Sequence, residues 1–115
     1  MPHWFIAVLI AIFSGMPVYA DTQRCKAISY KDFLAISTEW KGKDLVAFAS
    51  WCSSCKAKII EASKKSDQYI LVAAFDDNDA ADKVLNKFGV SSPCFYGDDL
   101  VEGLGVSVLP WSKKL

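Results

Sequence analysis

Phe48-Ala49-Ser50-Trp51-Cys52-Ser53-Ser54-Cys55-Lys56 joins two patterns of different period. Before it, Leu45 to Ala49 is a short unbroken apolar run, the composition of a strand covered on both faces. After it, Lys56 to Lys65 sets Ile59, Ile60 and Ala62 among lysines, a helical composition. A strand feeding directly into a helix places Cys52 at the helix N-terminus, where unpaired backbone N–H groups and the helix dipole favour negative charge. A thiolate is such a charge. Cys52 is therefore expected to be the more acidic thiol and the attacking nucleophile. Cys55, three residues on and inside the helix, is expected to resolve the mixed disulfide.

The alternation continues on both sides. Cys25 to Ile28 predicts a first strand, and Ser29-x-x-Asp32 predicts the capped start of a helix whose Tyr30, Phe33, Leu34 and Trp40 fall near one face, with Gly42 as its stop. Beyond the two cysteines, Tyr69 to Phe75 is another uninterrupted apolar strand. Asp76-Asp77-Asn78-Asp79 at its end lacks the glycine and distal glutamate of a calcium loop, and is expected to cap the next helix. In that helix Ala81, Val84, Leu85 and Phe88 recur at helical spacing, and Gly89 ends it. Pro93 to Gly97 predicts an extended segment, and Asp98 to Leu104 a short helix capped by Asp98 and ended by Gly105. Strands alternating with helices predict an α/β fold, a parallel sheet with helices on its faces.

The stretch around the cysteines resembles the active-site segment of the thioredoxin superfamily, in which an aromatic-rich strand ends in W-C-x-x-C-K. Within that superfamily the chain is most similar to the TlpA-like periplasmic thiol-disulfide reductases. The further residues that carry this are Phe88-Gly89-Val90 followed by Pro93, and Gly105-Val106 followed by Pro110; the resemblance covers about residues 25 to 112. It implies a thioredoxin-like three-layer sandwich in which Pro110 is a cis-proline beside the cysteines. Trp51, Leu109 and Pro110 would line the groove for substrate backbone. It also implies protein thiol or disulfide substrates, reduction as the working direction, a membrane electron donor and no cofactor.

Three departures from the family pattern qualify these implications. The buried acid that thioredoxins carry six residues before the first cysteine is Val46 here, leaving proton handling at Cys55 to water, Lys56 or a substrate group. Ser53-Ser54 replaces the more familiar dipeptides between the cysteines, so the potential falls anywhere between about −270 and about −120 mV. The sequence runs only five residues past Pro110, enough for a stub of the next strand at Trp111 to Leu115, so the final hairpin and helix of the fold are expected to be missing, in a truncated chain or one that a partner completes. On that expectation the strand bearing the site exposes an edge. The competing function is then a non-catalytic or degenerate thioredoxin-fold domain that binds a partner.

Composition bounds the remaining possibilities. The chain of 115 residues is 52% apolar and 23% charged, which fits one small domain. Its 13 basic and 13 acidic residues cancel, so nucleic acid is not an expected partner. Residues 1–20 hold no Lys, Arg, Asp or Glu and end Pro17-Val18-Tyr19-Ala20, as in a secretory signal cleaved after Ala20, the competing reading being an uncleaved anchor, for which the apolar stretch is short; cleavage leaves residues 21–115 as the thioredoxin-like domain of a periplasmic or otherwise exported protein. Cleavage removes His3, the single histidine, and with it any Cys-His nucleophile pair. The four cysteines lack the second close pair of a zinc ribbon, so no metal site is expected. A C-x-x-C bond closes too small a loop to be an effective staple, which favours a redox role for Cys52 and Cys55. Cys25 and Cys94 can form a second, structural disulfide or stay as thiols; four cysteines allow three pairings, and spacing alone does not choose.

Overall fold

Five strands lie side by side in the order β1-β4-β3-β2-β5 in the computed structural model, which describes residues 24–115. The expected secretory signal, residues 1–20, lies outside them. The strands are β1 (Cys25–Ala27), β2 (Asp44–Phe48), β3 (Tyr69–Ala73), β4 (Cys94–Tyr96) and β5 (Trp111–Lys114). The first four are parallel, and β5 alone runs antiparallel, against β2. Four helices connect them: α1 (Tyr30–Ser37), α2 (Lys56–Lys64), α3 (Asn78–Phe88) and α4 (Asp98–Leu104).

Apolar runs in β2 and β3 reflect burial on both faces, because successive side chains point to opposite sides of the sheet. Val46, Phe48, Leu71 and Ala73 face a core shared with Ile59 and Ala62 of α2 and Ala81 and Leu85 of α3. Leu45, Ala47, Ile70 and Val72 face a second core with Phe33 of α1 and Leu100 and Val101 of α4. The result is the expected thioredoxin-like α/β sandwich of three layers, with α2 and α3 on one face and α1 and α4 on the other. In the second core Phe33, Trp40 and Phe95 form an aromatic cluster with ring centroids 5.7–6.2 Å apart. Leu34 does not join it: the residue is 46% exposed, because α1 is short and buries only Phe33.

Local chemistry sets three of these helix boundaries and fails at a fourth. Ser29 accepts the Asp32 N–H at the start of α1, and Gly89 and Gly105 end α3 and α4 in the left-handed conformation that glycine adopts without a Cβ penalty. Asp98 does not cap α4, however; Gly97 occupies the cap position. Its neighbour Asp99 instead accepts the Tyr30 N–H at 2.8 Å, joining the starts of α1 and α4. Gly103 allows that approach, since a Cβ there would run into the Tyr30 ring.

The expectation of an open edge on β2 is corrected. Trp111, Ser112, Lys113 and Lys114 pair with Ala47, Val46, Leu45 and Asp44, and the ladder is extended by Gly42 and Leu115 N–H donors on Leu115 and Lys43 carbonyls, each 2.8 Å. Lys114 also meets Asp44 across the pair at 3.4 Å. A strand of only four residues suffices because β2, buried from Leu45 to Phe48, supplies the template. The outer position passes to β5, whose lysines suit an exposed edge.

At the other side of the sheet, β1 is tied to β4 by a disulfide between Cys25 and Cys94, directly opposite residues with Cα atoms 4.4 Å apart. The buried Asp82 of α3 accepts the Cys25 N–H at 3.0 Å, and Arg24 donates to the carbonyls of Val90 and Ser92.

Candidate active site

The parallel arrangement brings the carboxyl ends of β2 and β3 to one end of the sheet, where connecting loops gather. Phe48 ends β2, and Ala49 to Cys52 form a turn closed by the Cys52 N–H on the Ala49 carbonyl at 3.1 Å. A single 3₁₀ turn, Ser53–Cys55, follows and runs on into α2. Cys52 occupies the cap position of that turn in extended conformation, so it immediately precedes the helical residues, and its side chain makes no capping hydrogen bond. Cys55 was expected within the helix; it sits at the cap position of α2 instead, because the 3₁₀ turn takes up the intervening residues.

Cys52 and Cys55 are joined in a disulfide, their Cα atoms 5.3 Å apart. The pair is asymmetric. Cys55 is fully buried, whereas Cys52 retains 9% of its surface and lines an open cleft of about 240 Å³ with Trp51, Ser53, Lys56, Val84 and Phe88. Ser54 Oγ lies 3.4 Å from Cys52 Sγ, the one side-chain hydrogen bond to either sulfur among the described residues. Val46, the position of the family's acid, is 1% exposed and packs in the same core as both cysteines.

The loop after β3 holds the cysteine turn in place. Asp76 accepts the Ser50 N–H at 2.6 Å, the Ser50 hydroxyl at 2.9 Å and the Asp77 N–H at 2.8 Å. Trp51 donates its indole N–H to the Phe75 carbonyl at 2.7 Å, although the indole is otherwise 63% exposed. Phe75 turns this carbonyl toward Trp51 from a left-handed backbone conformation, φ 56°, unusual for an aromatic residue. This corrects the capping role expected for the acidic run: Asp77 takes the cap position of α3 without a side-chain bond, and Asp76 serves the cysteine turn 26 residues away. Capping composition gave no signal of that choice, since Asp76 and Asp77 are chemically the same and only the fold separates them.

Pro110 immediately precedes β5, whose Trp111 lies opposite Ala47, so Pro110 falls at the end of β2 from which the cysteine turn departs. The Leu109–Pro110 peptide bond is cis. Leu109 packs against both cores. Trp51, Phe75 and Val108, respectively 63%, 55% and 68% exposed, leave this end of the sheet unusually apolar for a surface. Of the residues singled out in the sequence, Trp51, Cys52, Cys55, Leu109 and Pro110 thus gather at one end, while Cys25 and Cys94 form their disulfide at the β1–β4 pair.

The sheet order, the single antiparallel strand after a cis-proline and a C-x-x-C between β2 and α2 define a thioredoxin-like fold carrying a disulfide at its loop end. Comparison with solved structures finds likeness to MTB DsbF, described in mixed oxidised and reduced forms, with TM-score 0.47 and 21% identity over 64% of this chain. The chain spans 63% of the length of that protein. No family model matches the sequence, and no curated protein matches it.

Proposed function

We propose that this chain is an exported thiol-disulfide oxidoreductase of the TlpA-like kind, exchanging disulfides with partner proteins in the reducing direction. The observation that carries the proposal is the asymmetric Cys52–Cys55 pair: one sulfur reachable from an open cleft, the other buried directly behind it. In the reduced form the Cys52 thiolate attacks one sulfur of a substrate disulfide. A Cys52–substrate bond forms, the substrate S–S bond breaks, and the other substrate sulfur leaves as a thiolate. Cys55 then attacks the Cys52 sulfur, closing the internal disulfide and releasing the second substrate thiolate. Two electrons pass to the substrate, its two sulfurs take up two protons, and a dithiol donor, membrane-bound in this proposal, returns the pair to the reduced state.

Each neighbouring group has a part in that sequence. The free N–H groups of the 3₁₀ turn stabilise charge at Cys52. Ser54 Oγ, already 3.4 Å away, offers a hydroxyl to the same sulfur. With valine at position 46, the proton of Cys55 is exchanged with water from the cleft side or with Lys56. Leu109 and Pro110, with Trp51, form the surface against which substrate backbone lies. Export is supported by the signal-like residues 1–20 and by a buried second disulfide, a bond kept in oxidising compartments.

Reduction of insulin disulfides with dithiothreitol as donor tests the proposal. The wild-type protein accelerates the reaction, Cys52→Ser abolishes the acceleration, and Cys55→Ser accumulates a mixed disulfide at Cys52 detectable by mass. Full activity in Cys52→Ser would refute the mechanism.

A further inference from the structure

A second cleft, of about 350 Å³, shares no lining residue with the one that reaches Cys52. Its apolar lining comes from Phe75, Val101 and Val106, and its rim carries Asp98 and Glu102. Val101 and Val106 are 7% and 6% exposed and form the floor, while Phe75, 55% exposed, stands as a wall. The wall adjoins the active-site surface, because the Phe75 carbonyl is the acceptor for the Trp51 indole N–H. Asp98 and Glu102 are one helical turn apart on α4, so both carboxylates project over the same opening. Among the described residues the ion pairs are Lys58–Glu61 and Lys114–Asp44; the two rim acids take part in neither.

We propose, resting on the exchange function above, that this cleft selects substrates by holding an arginine side chain that lies close in sequence to the disulfide being exchanged. An arginine stem covers apolar surface while its head stays at a polar rim, as the valine floor and acidic rim require. The planar guanidinium also pairs with carboxylates through two parallel hydrogen bonds and stacks on an aromatic face, here Phe75. Lysine meets the charge but neither planar contact, norleucine meets only the floor, and glutamate is repelled by both rim acids. Continuity through Trp51 lets one extended segment occupy this cleft and present its disulfide to Cys52.

Disulfide-bonded peptides of one sequence, with Arg, Lys, norleucine or Glu placed at each position from one to five residues from the cysteine, test the assignment against the full-length protein. For at least one position kcat/KM is expected to fall in the order Arg, Lys, norleucine, Glu, with about tenfold between the extremes, since two exposed carboxylates each act through solvent. Asp98→Asn with Glu102→Gln should bring the Arg-to-Glu ratio to within about twofold, and Asp98→Lys with Glu102→Lys should invert it. Raising salt to about 1 M should collapse the ratio in the wild-type protein, a measurement that needs no variant to fold. A wild-type ratio within twofold at every position, or one untouched by both the substitutions and salt, overturns the cleft assignment while leaving the exchange function standing. Failure to exchange any of the peptides overturns the exchange function and the assignment with it.

Discussion

Asp76 and Asp77 stand side by side, and the fold gives them different work, which makes them a sharp test of how the cysteine turn is held. Replacing Asp76 by Ala removes three hydrogen bonds, to the Ser50 N–H, the Ser50 hydroxyl and the Asp77 N–H. A hydrogen bond to a charged group contributes about 1.5–3 kcal/mol when its partner is well shielded, and water replaces part of that at this half-buried position. A net loss of about 2 kcal/mol is expected, which for a domain of this size lowers Tm by roughly 10 °C. Asp76→Asn keeps one carbonyl acceptor and should lose about half as much. Asp77→Ala removes a side chain with no capping bond and should stay within about 0.5 kcal/mol of the wild type. Thermal unfolding followed by circular dichroism on the disulfide-bonded protein measures all three. If Asp76→Ala and Asp77→Ala melt within a couple of degrees of each other, the run is a simple helix cap and Asp76 does not anchor the cysteine turn.

Two further outcomes follow from groups away from the active site. Replacing Cys25 and Cys94 together by Ser opens a bond spanning 69 positions and should destabilise the protein by about 4 kcal/mol on chain-entropy grounds, visible as a lower midpoint in guanidinium with a steeper slope, because the released unfolded chain is less compact. Tyr69 is pushed up to about 12 from its ordinary 10.0, first because its hydroxyl donates to Glu61, then through burial and the negative charges of Glu61 and Asp44. The folded state thus holds this proton more tightly than the unfolded chain. Its contribution to stability is complete below about pH 10 and is lost as pH rises through about 12. Ultraviolet absorbance titration should find Tyr69 ionising near that upper value, and Glu61→Gln should bring it down toward its ordinary 10.0; an unchanged titration would remove Glu61 as the cause.

Features set by neighbours in sequence were legible before the structure; those set by distant partners were not. The apolar runs of β2 and β3, the spacing of Ala81, Val84, Leu85 and Phe88, and the stops at Gly89 and Gly105 are local, and they define the strand-helix frame around Cys52 and Cys55. The cis bond at Pro110 was implied by family resemblance and has no signature in composition. Trp111-Ser112-Lys113-Lys114 carries little strand character of its own and becomes β5 because β2 offers it a ladder. Pairing of Cys25 with Cys94 depends on β1 and β4 lying side by side, a sheet order no spacing encodes. The partner of Asp76 and the left-handed turn at Phe75 likewise appear only once the loops at one end of the sheet are brought together.

The two disulfides differ most in the length of chain each encloses, 69 positions against 3. By the same chain-entropy relation the short loop restrains the unfolded protein by about 2 kcal/mol, roughly half of what the long one contributes. If Cys52 and Cys55 exchange disulfides as proposed, opening their bond perturbs global stability less than opening the buried Cys25–Cys94 tether at the far side of the sheet would. On that proposal the chain separates wear from support: the link that would break repeatedly is the one whose breaking matters least to the architecture around it.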